Sequence, residues 1–320
     1  MHTLDEQVLH RLCEWLREEI PCWLCTIVAT YGSSPRPVGS LFACNGRGET
    51  VGSLSGGCVE EDLIDKLTRA QSPGSLPQLL EYGVSAEENE RLGLPCGGKL
   101  EVLLEPLDGS ALAHIQQLHD AIHERRYVLR EVSVETTDRR LSAVGAYSVP
   151  VFERGCLRQV FGPRYRMLLI GAGQLAQTLS ELAAAMDYQV YVCDPRQQML
   201  DQWAGAPVEL ISGMPDDAVR NYATDSDSIV LTLTHDPRID DMALMEALEH
   251  DLFYVGALGS ERTSAARRER LLQLDLSGQQ LDKLHAPIGL PIGSKTPMEI
   301  AIAILGQLTQ LRSARVRAGA

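Results

Sequence analysis

No apolar run in this 320-residue chain approaches the roughly 20 residues that a membrane-spanning helix needs, so no such helix is expected. Basic residues are also in short supply. Lys and Arg number 29 against 43 Asp and Glu, a net charge of -14, which argues against nucleic acid or an anionic membrane surface as the main partner. An anionic small ligand would need a locally basic or amide-rich pocket. The N-terminus lacks a targeting pattern: Val8, Leu9, Leu12, Leu16 and Ile20 form a helical stripe on a charged segment ended by Pro21, with Thr3 and Glu6 at capping-box spacing. Eight cysteines without a signal peptide predict a cytoplasmic protein with reduced thiols rather than a disulfide framework. Internal repeats and low-complexity segments are lacking too.

What is present is ordinary globular composition, 44% hydrophobic and 22% charged, in a chain long enough for two cores. The first half reads as mixed α/β. A buried strand at 22–30 precedes a hairpin, 40–44 with 49–53, turning at Asn45-Gly46-Arg47-Gly48. Short strands are expected near 79–82 and 99–105, a helix at 111–125, and several strands between 127 and 161. Gly162-Pro163-Arg164 marks a boundary. Beyond it, short apolar runs alternate with helices, the pattern of a doubly wound parallel sheet. The expected organisation is therefore α/β: an N-terminal domain over 1–105, a β-rich connecting region over 106–163 and a Rossmann-like domain over 164–320.

Two cysteines sit against glycine pairs, in Ser55-Gly56-Gly57-Cys58-Val59-Glu60 and in Pro95-Cys96-Gly97-Gly98-Lys99. Glycine pairs permit sharp turns and leave backbone open to a bound group. The residues after Cys58 read as an amphipathic helix, acidic at its start. Cys58 would stand at a helix N-terminus, where the macrodipole favours an anion such as a thiolate. Cys58 and Cys96 are therefore candidates for sulfur chemistry or soft-metal ligation, with Ser33, Ser34 and Arg36 as an anion-binding loop beside them and Lys99 as a second cation. Cys22 and Cys25 form a CxxC, but residues three apart in a strand point to opposite faces, so zinc is not expected there. Cys13, Cys44, Cys156 and Cys193 lie in apolar patterns and read as core.

In the second half, Gly171-Ala172-Gly173-Gln174-Leu175-Ala176 follows a hydrophobic strand and opens a helix, the Gly-x-Gly-x-x-Ala form of the dinucleotide fingerprint. Asp194 ends the next strand, roughly 20 residues on, where an acid holds a ribose hydroxyl. Arg196 could instead meet a 2′-phosphate. Whether the fold binds NAD(P) or has been reused stays open at this point. His235 stands at a strand end, as acid/base or as a helix cap, and Asp240-Asp241 could bind a divalent cation or form a solvated helix start. Gly293-Ser294-Lys295-Thr296 offers amides and a cation to an anion ahead of the last helix.

Taken together, Gly32-Ser33-Ser34-Pro35-Arg36, Gly52 to Glu60, Leu94-Pro95-Cys96-Gly97-Gly98, Gly171-Ala172-Gly173, His235-Asp236-Pro237 through Asp241, Tyr254 to Thr263 and Gly289 to Ile300 resemble the XdhC/CoxI family. These segments run in order over nearly the whole chain; about 108–164 carries no matching motif. The resemblance implies an accessory protein for molybdenum hydroxylases such as xanthine dehydrogenase and CO dehydrogenase. Such a chaperone binds the molybdopterin-type cofactor while a cysteine desulfurase supports its sulfuration, then delivers it to the apo-hydroxylase. Cys58 becomes a candidate molybdenum ligand. A homodimer is expected, as the commonest assembly of soluble proteins. The rival readings are an NAD(P)-dependent oxidoreductase using His235, and a docking factor without catalysis.

Overall fold

The computed structural model describes residues 4–32, 36–69, 76–84 and 99–318. They divide into two compact units, one running to Pro163 and one from Arg164 to Arg317.

The first unit begins with α1 (Leu4–Arg17), whose Val8, Leu9, Leu12 and Leu16 are buried on one face. Each such side chain is worth about 1.5–3 kcal/mol when fully buried. Strands β1 (Cys22–Tyr31), β2 (Leu41–Asn45) and β3 (Thr50–Gly52) follow, then α2 (Cys58–Arg69), β4 (Gln78–Tyr82) and β5 (Lys99–Leu107). The five strands form one antiparallel sheet in the order β3-β2-β1-β5-β4. After it come α3 (Leu112–His123) and a second antiparallel sheet, β6 (Val128–Ser133), β7 (Arg139–Ala143), β8 (Val151–Glu153) and β9 (Cys156–Phe161), in the order β7-β6-β9-β8. Residues 106–163 thus belong to the same compact unit as the segments before them.

The apolar run of β1 is continuous because both faces of its sheet are covered. Cys22 and Leu24 join α1 and α3 in one cluster, while Trp23, Cys25 and Ile27 join Val59 and Leu63 of α2 in another. The hairpin turns where expected: Asn45 Oδ1 accepts from the N–H groups of Arg47 and Glu49 at 2.9 and 3.0 Å, and Gly48 takes a φ of 80°. The strand directions have a consequence for the site. β1, β3 and β4 all end, and β5 begins, at the same end of the sheet, so the loops after Tyr31, Gly52 and Tyr82 leave from that end. They are staggered. β3 stops at Gly52, opposite Phe42, whereas β1 and β5 continue to the Tyr31–Lys99 pair.

The second unit contains β10 (Arg166–Ile170), α4 (Gln174–Ala185), β11 (Gln189–Cys193), α5 (Gln197–Asp201), β12 (Glu209–Ile211), α6 (Pro215–Tyr222) and β13 (Ser228–Thr232). It continues with α7 (Pro237–Ala247), β14 (Tyr254–Ala257), α8 (Glu261–Gln273), α9 (Gly278–Asp282), β15 (Leu284–His285) and α10 (Pro297–Ala318). All six strands are parallel, in the order β12-β11-β10-β13-β14-β15. Alternation along β10 distributes the two cores. Met167 and Leu169 pack with α4 and α10, and Leu168 and Ile170 with α6, α7 and α8. This is the doubly wound fold read from the sequence. Its strand order reverses between β10 and β13, which puts a crevice at their carboxyl ends.

Candidate functional site

In the first unit the turn Ser53-Leu54-Ser55-Gly56-Gly57 delivers the chain into α2, with Gly56 at a φ of +92° and no neighbouring atom within 4 Å of where a Cβ would be. The backbone N–H groups of this turn converge into an anion-binding nest. A carboxylate of the chain fills it. Glu60 Oε1 accepts from Ser53 Oγ (3.0 Å) and from the N–H groups of Leu54 (2.8 Å), Ser55 (3.0 Å) and Gly56 (3.0 Å). Its Oε2 accepts from Gly57 N–H at 3.1 Å and from the Ser55 hydroxyl. Burial alone would raise the Glu60 pKa, but the Ser55 hydroxyl and these N–H groups outweigh it and hold the carboxylate at about 2.

The turn therefore presents Cys58 to solvent rather than free amides. Cys58 is the one exposed thiol among the described residues. Burial acts on five of the other thiols chemically as well as sterically. Burial pushes Cys13 up to about 11 and Cys22, Cys44 and Cys193 to about 12, and raises fully buried Cys25 further. Cys22 and Cys25 face opposite sides of β1, and no metal-holding group of His, Cys, Asp or Glu occurs among the described residues.

Two expectations here need correction. The amides of Gly56 and Gly57 are taken by Glu60 and are not open to a bound group. Lys99 is no spare cation: its Nζ lies 2.9 Å from Glu81 and 3.1 Å from Glu101, and those hydrogen bonds raise its pKa. Arg36 is exposed. Ser33, Ser34, Cys96, Gly97 and Gly98 lie outside the described residues.

The second unit has a cleft of about 780 Å³ at its switch point, lined in part by Gly171, Gly173, Arg196, His235, Arg238 and Lys295. That volume falls in the range of small-molecule and cofactor sites. The two glycines serve different ends. Gly171 has a φ of +106°, and a Cβ there would meet Thr234 Cγ2 at 2.6 Å, so it lets the β10 turn close on β13. A Cβ on Gly173 would touch nothing of the protein. Gly173 is the N-cap of α4 and no side chain caps that helix.

Asp194 is wholly buried at the end of β11. Its Oδ2 accepts from Ala172 N–H (2.9 Å) and Arg196 Nη2 (2.8 Å), and its Oδ1 from Arg196 N–H (3.0 Å) and Nε (2.9 Å). Burial opposes ionisation, but these bonds keep its pKa below the ordinary value. Asp194 thus fixes the glycine loop and Arg196 rather than offering free oxygens to the cleft.

His235 is exposed between β13 and α7, and it does not cap that helix. Asp236 does, accepting from Arg238 N–H at 3.0 Å while Arg238 Nη2 holds its other oxygen at 2.7 Å. Asp240 and Asp241 form neither a cation site nor a solvated helix start. Asp240 accepts from Thr234 Oγ1 (2.7 Å) and Arg267 Nη2 (3.1 Å), and Asp241 from Arg270 Nε (2.8 Å). Burial still pushes Asp240 up to about 6, against Thr234 and Arg267. Ahead of α10, the amides of Lys295 and Thr296 are also spoken for, by Glu299 Oε2 at 2.8 and 3.0 Å; of residues 293–296, Lys295 lines the cleft.

Sequence reasoning missed Glu60 and Arg238 as parts of these sites. Glu60 stands three residues past a Gly-Gly pair, where a helix N-terminus commonly carries an acid reaching back to the turn. Arg238 directly follows the His-Asp-Pro strand end.

An open parallel sheet with an uncapped glycine turn at its switch point defines a Rossmann domain, here in one chain with an antiparallel α/β unit that exposes a single described thiol. The chain belongs to the XdhC and CoxI family: the model of that family matches residues 15–83, and that of the XdhC Rossmann domain matches residues 167–308. It is 26% identical to a probable xanthine dehydrogenase subunit from Bacillus subtilis (strain 168), over 93% of this chain and 95% of that one. It is also 26% identical to the molybdenum cofactor insertion chaperone PaoD of Escherichia coli (strain K12), over 90% of this chain and 83% of that one. Among solved structures, one described as a xanthine dehydrogenase from Bacillus halodurans superposes with a TM-score of 0.79 at 28% identity, covering 100% of this chain and 98% of that one.

Proposed function

We propose that this protein carries a molybdenum cofactor as cargo, shields it while a terminal sulfido ligand is installed, and hands it to an apo-hydroxylase of the xanthine dehydrogenase or CO dehydrogenase type. The observation that carries this reading is Cys58, an exposed thiol on a turn locked by Glu60. A thiolate is a soft ligand suited to a sulfur-rich metal centre. The relatives described as an insertion chaperone and as a xanthine dehydrogenase component support the cargo and the client.

In this reading Cys96, Ser33, Ser34 and Arg36 complete the cargo site with Cys58. The strand directions favour this, since the loops after β1 and β3 and the segment entering β5 share one end of the sheet. The other partners are a cysteine desulfurase and a second copy of the chain, in the cytoplasm, where the protein serves as an accessory maturation factor.

The test is cofactor analysis of the protein purified from cells that make the cofactor, by fluorescence of the oxidised pterin and by metal content. Molybdopterin retained near one per chain supports the reading. Nicotinamide cofactor retained instead, with turnover lost in His235→Ala, would replace it with an NAD(P)-dependent oxidoreductase, a reading the exposed His235 at the cleft keeps specific. Neither cofactor retained would leave a docking factor.

A further inference from the structure

Among the described residues three amide-rich turns are built to meet an anion, and two are already filled by a glutamate. Glu60 occupies the Ser53–Gly57 nest, and Glu299 takes the amides of Lys295 and Thr296. At Gly171–Gly173 the first two amides are held by Cys193 O and Asp194, but the helix start just beyond them is open: α4 has no side-chain cap, and the Gly173 position faces empty space within a cleft of about 780 Å³. A phosphate bridging two nucleosides suits that helix start.

The second anchor of a dinucleotide is at the end of β11. There an acid that reads a ribose diol must have oxygens to give. Asp194 has none to spare, because each of its oxygens already accepts two hydrogen bonds, from Ala172 and Arg196, and its exposure is 0%. Accepting from a diol would mean parting a buried carboxylate from its guanidinium. What the cleft meets instead is Arg196, whose side chain is 47% exposed and oriented by that bidentate grip. A guanidinium held in this way matches a phosphate monoester better than a hydroxyl. Arg238 and Lys295 line the same cleft, and so does Asp236, whose carboxylate is neutralised by Arg238.

We infer that this cleft takes a dinucleotide bearing a 2′-phosphate, of the NADP class, in preference to its unphosphorylated counterpart. The inference rests on the dinucleotide reading of the second unit alone and is independent of the cargo assigned to the first. Calorimetric titration of the full-length protein with NADP⁺ and with NAD⁺ tests it.

The expected result is a preference for NADP⁺ of about tenfold or more, as an added charge-assisted contact gives. Arg196→Gln, whose amide can still donate to Asp194, should bring the ratio close to one. Gly173→Ala, which meets no protein atom, should weaken both ligands. Equal affinity in the native protein would overturn the phosphate assignment and leave a dinucleotide site. Binding of neither ligand would overturn the site itself. A preference that survives Arg196→Gln would remove Arg196 from the role.

Discussion

Cys58, the one exposed thiol among the described residues, anchors the chemistry proposed for the first unit, and its environment makes a prediction at the residue scale. Under native conditions a thiol reagent should modify Cys58 quickly while Cys13, Cys22, Cys25, Cys44 and Cys193 stay protected until unfolding, since burial both hides them and disfavours their thiolates. Peptide mapping by mass spectrometry after a short pulse checks it; early labelling of Cys13 would contradict the burial. Glu60 makes a second prediction. Its pKa falls from about 4.5 unfolded to about 2 folded. The stability it contributes is therefore fully present above pH ~4.5 and lost as the pH falls toward 2. Glu60→Gln should flatten the acid limb of the stability curve in that window and cost about 1–3 kcal/mol near neutrality, because N–H donors lose a charged acceptor. Urea denaturation across pH measures both. The paired glycines of the second unit separate in the same way. Gly171→Ala should destabilise the fold by more than about 1 kcal/mol, from strain at positive φ and the approach to Thr234, whereas Gly173→Ala should leave the melting temperature nearly unchanged.

At the scale of elements, β5 and β6 are joined by an ion pair that no sequence pattern announced. Glu105 and Arg130, 0% and 1% exposed, meet at 2.7 Å, with Arg139 at 3.3 Å from the same carboxylate and His114 accepting from Arg130 Nε at 3.1 Å. His114 is held down to about 4, first by burial and then by the Arg130 charge, so it stays neutral and can accept. Removing Arg130 leaves the buried Glu105 carboxylate with only the longer contact to Arg139 at 3.3 Å. Arg130→Met should cost about 3–5 kcal/mol in thermal or urea unfolding, and the double variant with Glu105→Leu should recover much of it. If Arg130→Met alone left stability unchanged, the pair would not be buried as described. Most elements themselves were legible. The apolar runs gave β1, the β2–β3 hairpin and five of the six parallel strands, the two-residue β15 being too short to show as a run; at the start of α10, Thr296 Oγ1 and Glu299 cap each other. What could not be read was polar pairing across long sequence separations. Nothing in the pattern around Lys99 tells that Glu81 and Glu101 consume its charge, and nothing around Asp240 tells that Arg267 lies against it.

For the whole molecule, the family was legible from short motifs that run in order along both units. The roles of those residues were less so. A motif names the residues of a turn but not which of its amides a neighbouring carboxylate has already taken, and that decides where a ligand can sit. In this chain it leaves an exposed thiol in one unit and an uncapped helix start beside Arg196 in the other. The central claim is that the thiol meets a molybdenum cofactor. The most direct measurement is the pterin and molybdenum content of the native, Cys58→Ala and Cys13→Ala proteins purified side by side from cells that make the cofactor, with each fold checked by circular dichroism. Cargo near one per chain in the native and Cys13→Ala proteins, and strongly reduced in a folded Cys58→Ala protein, is the predicted result; a Cys58→Ala protein as fully loaded as the native one would contradict it.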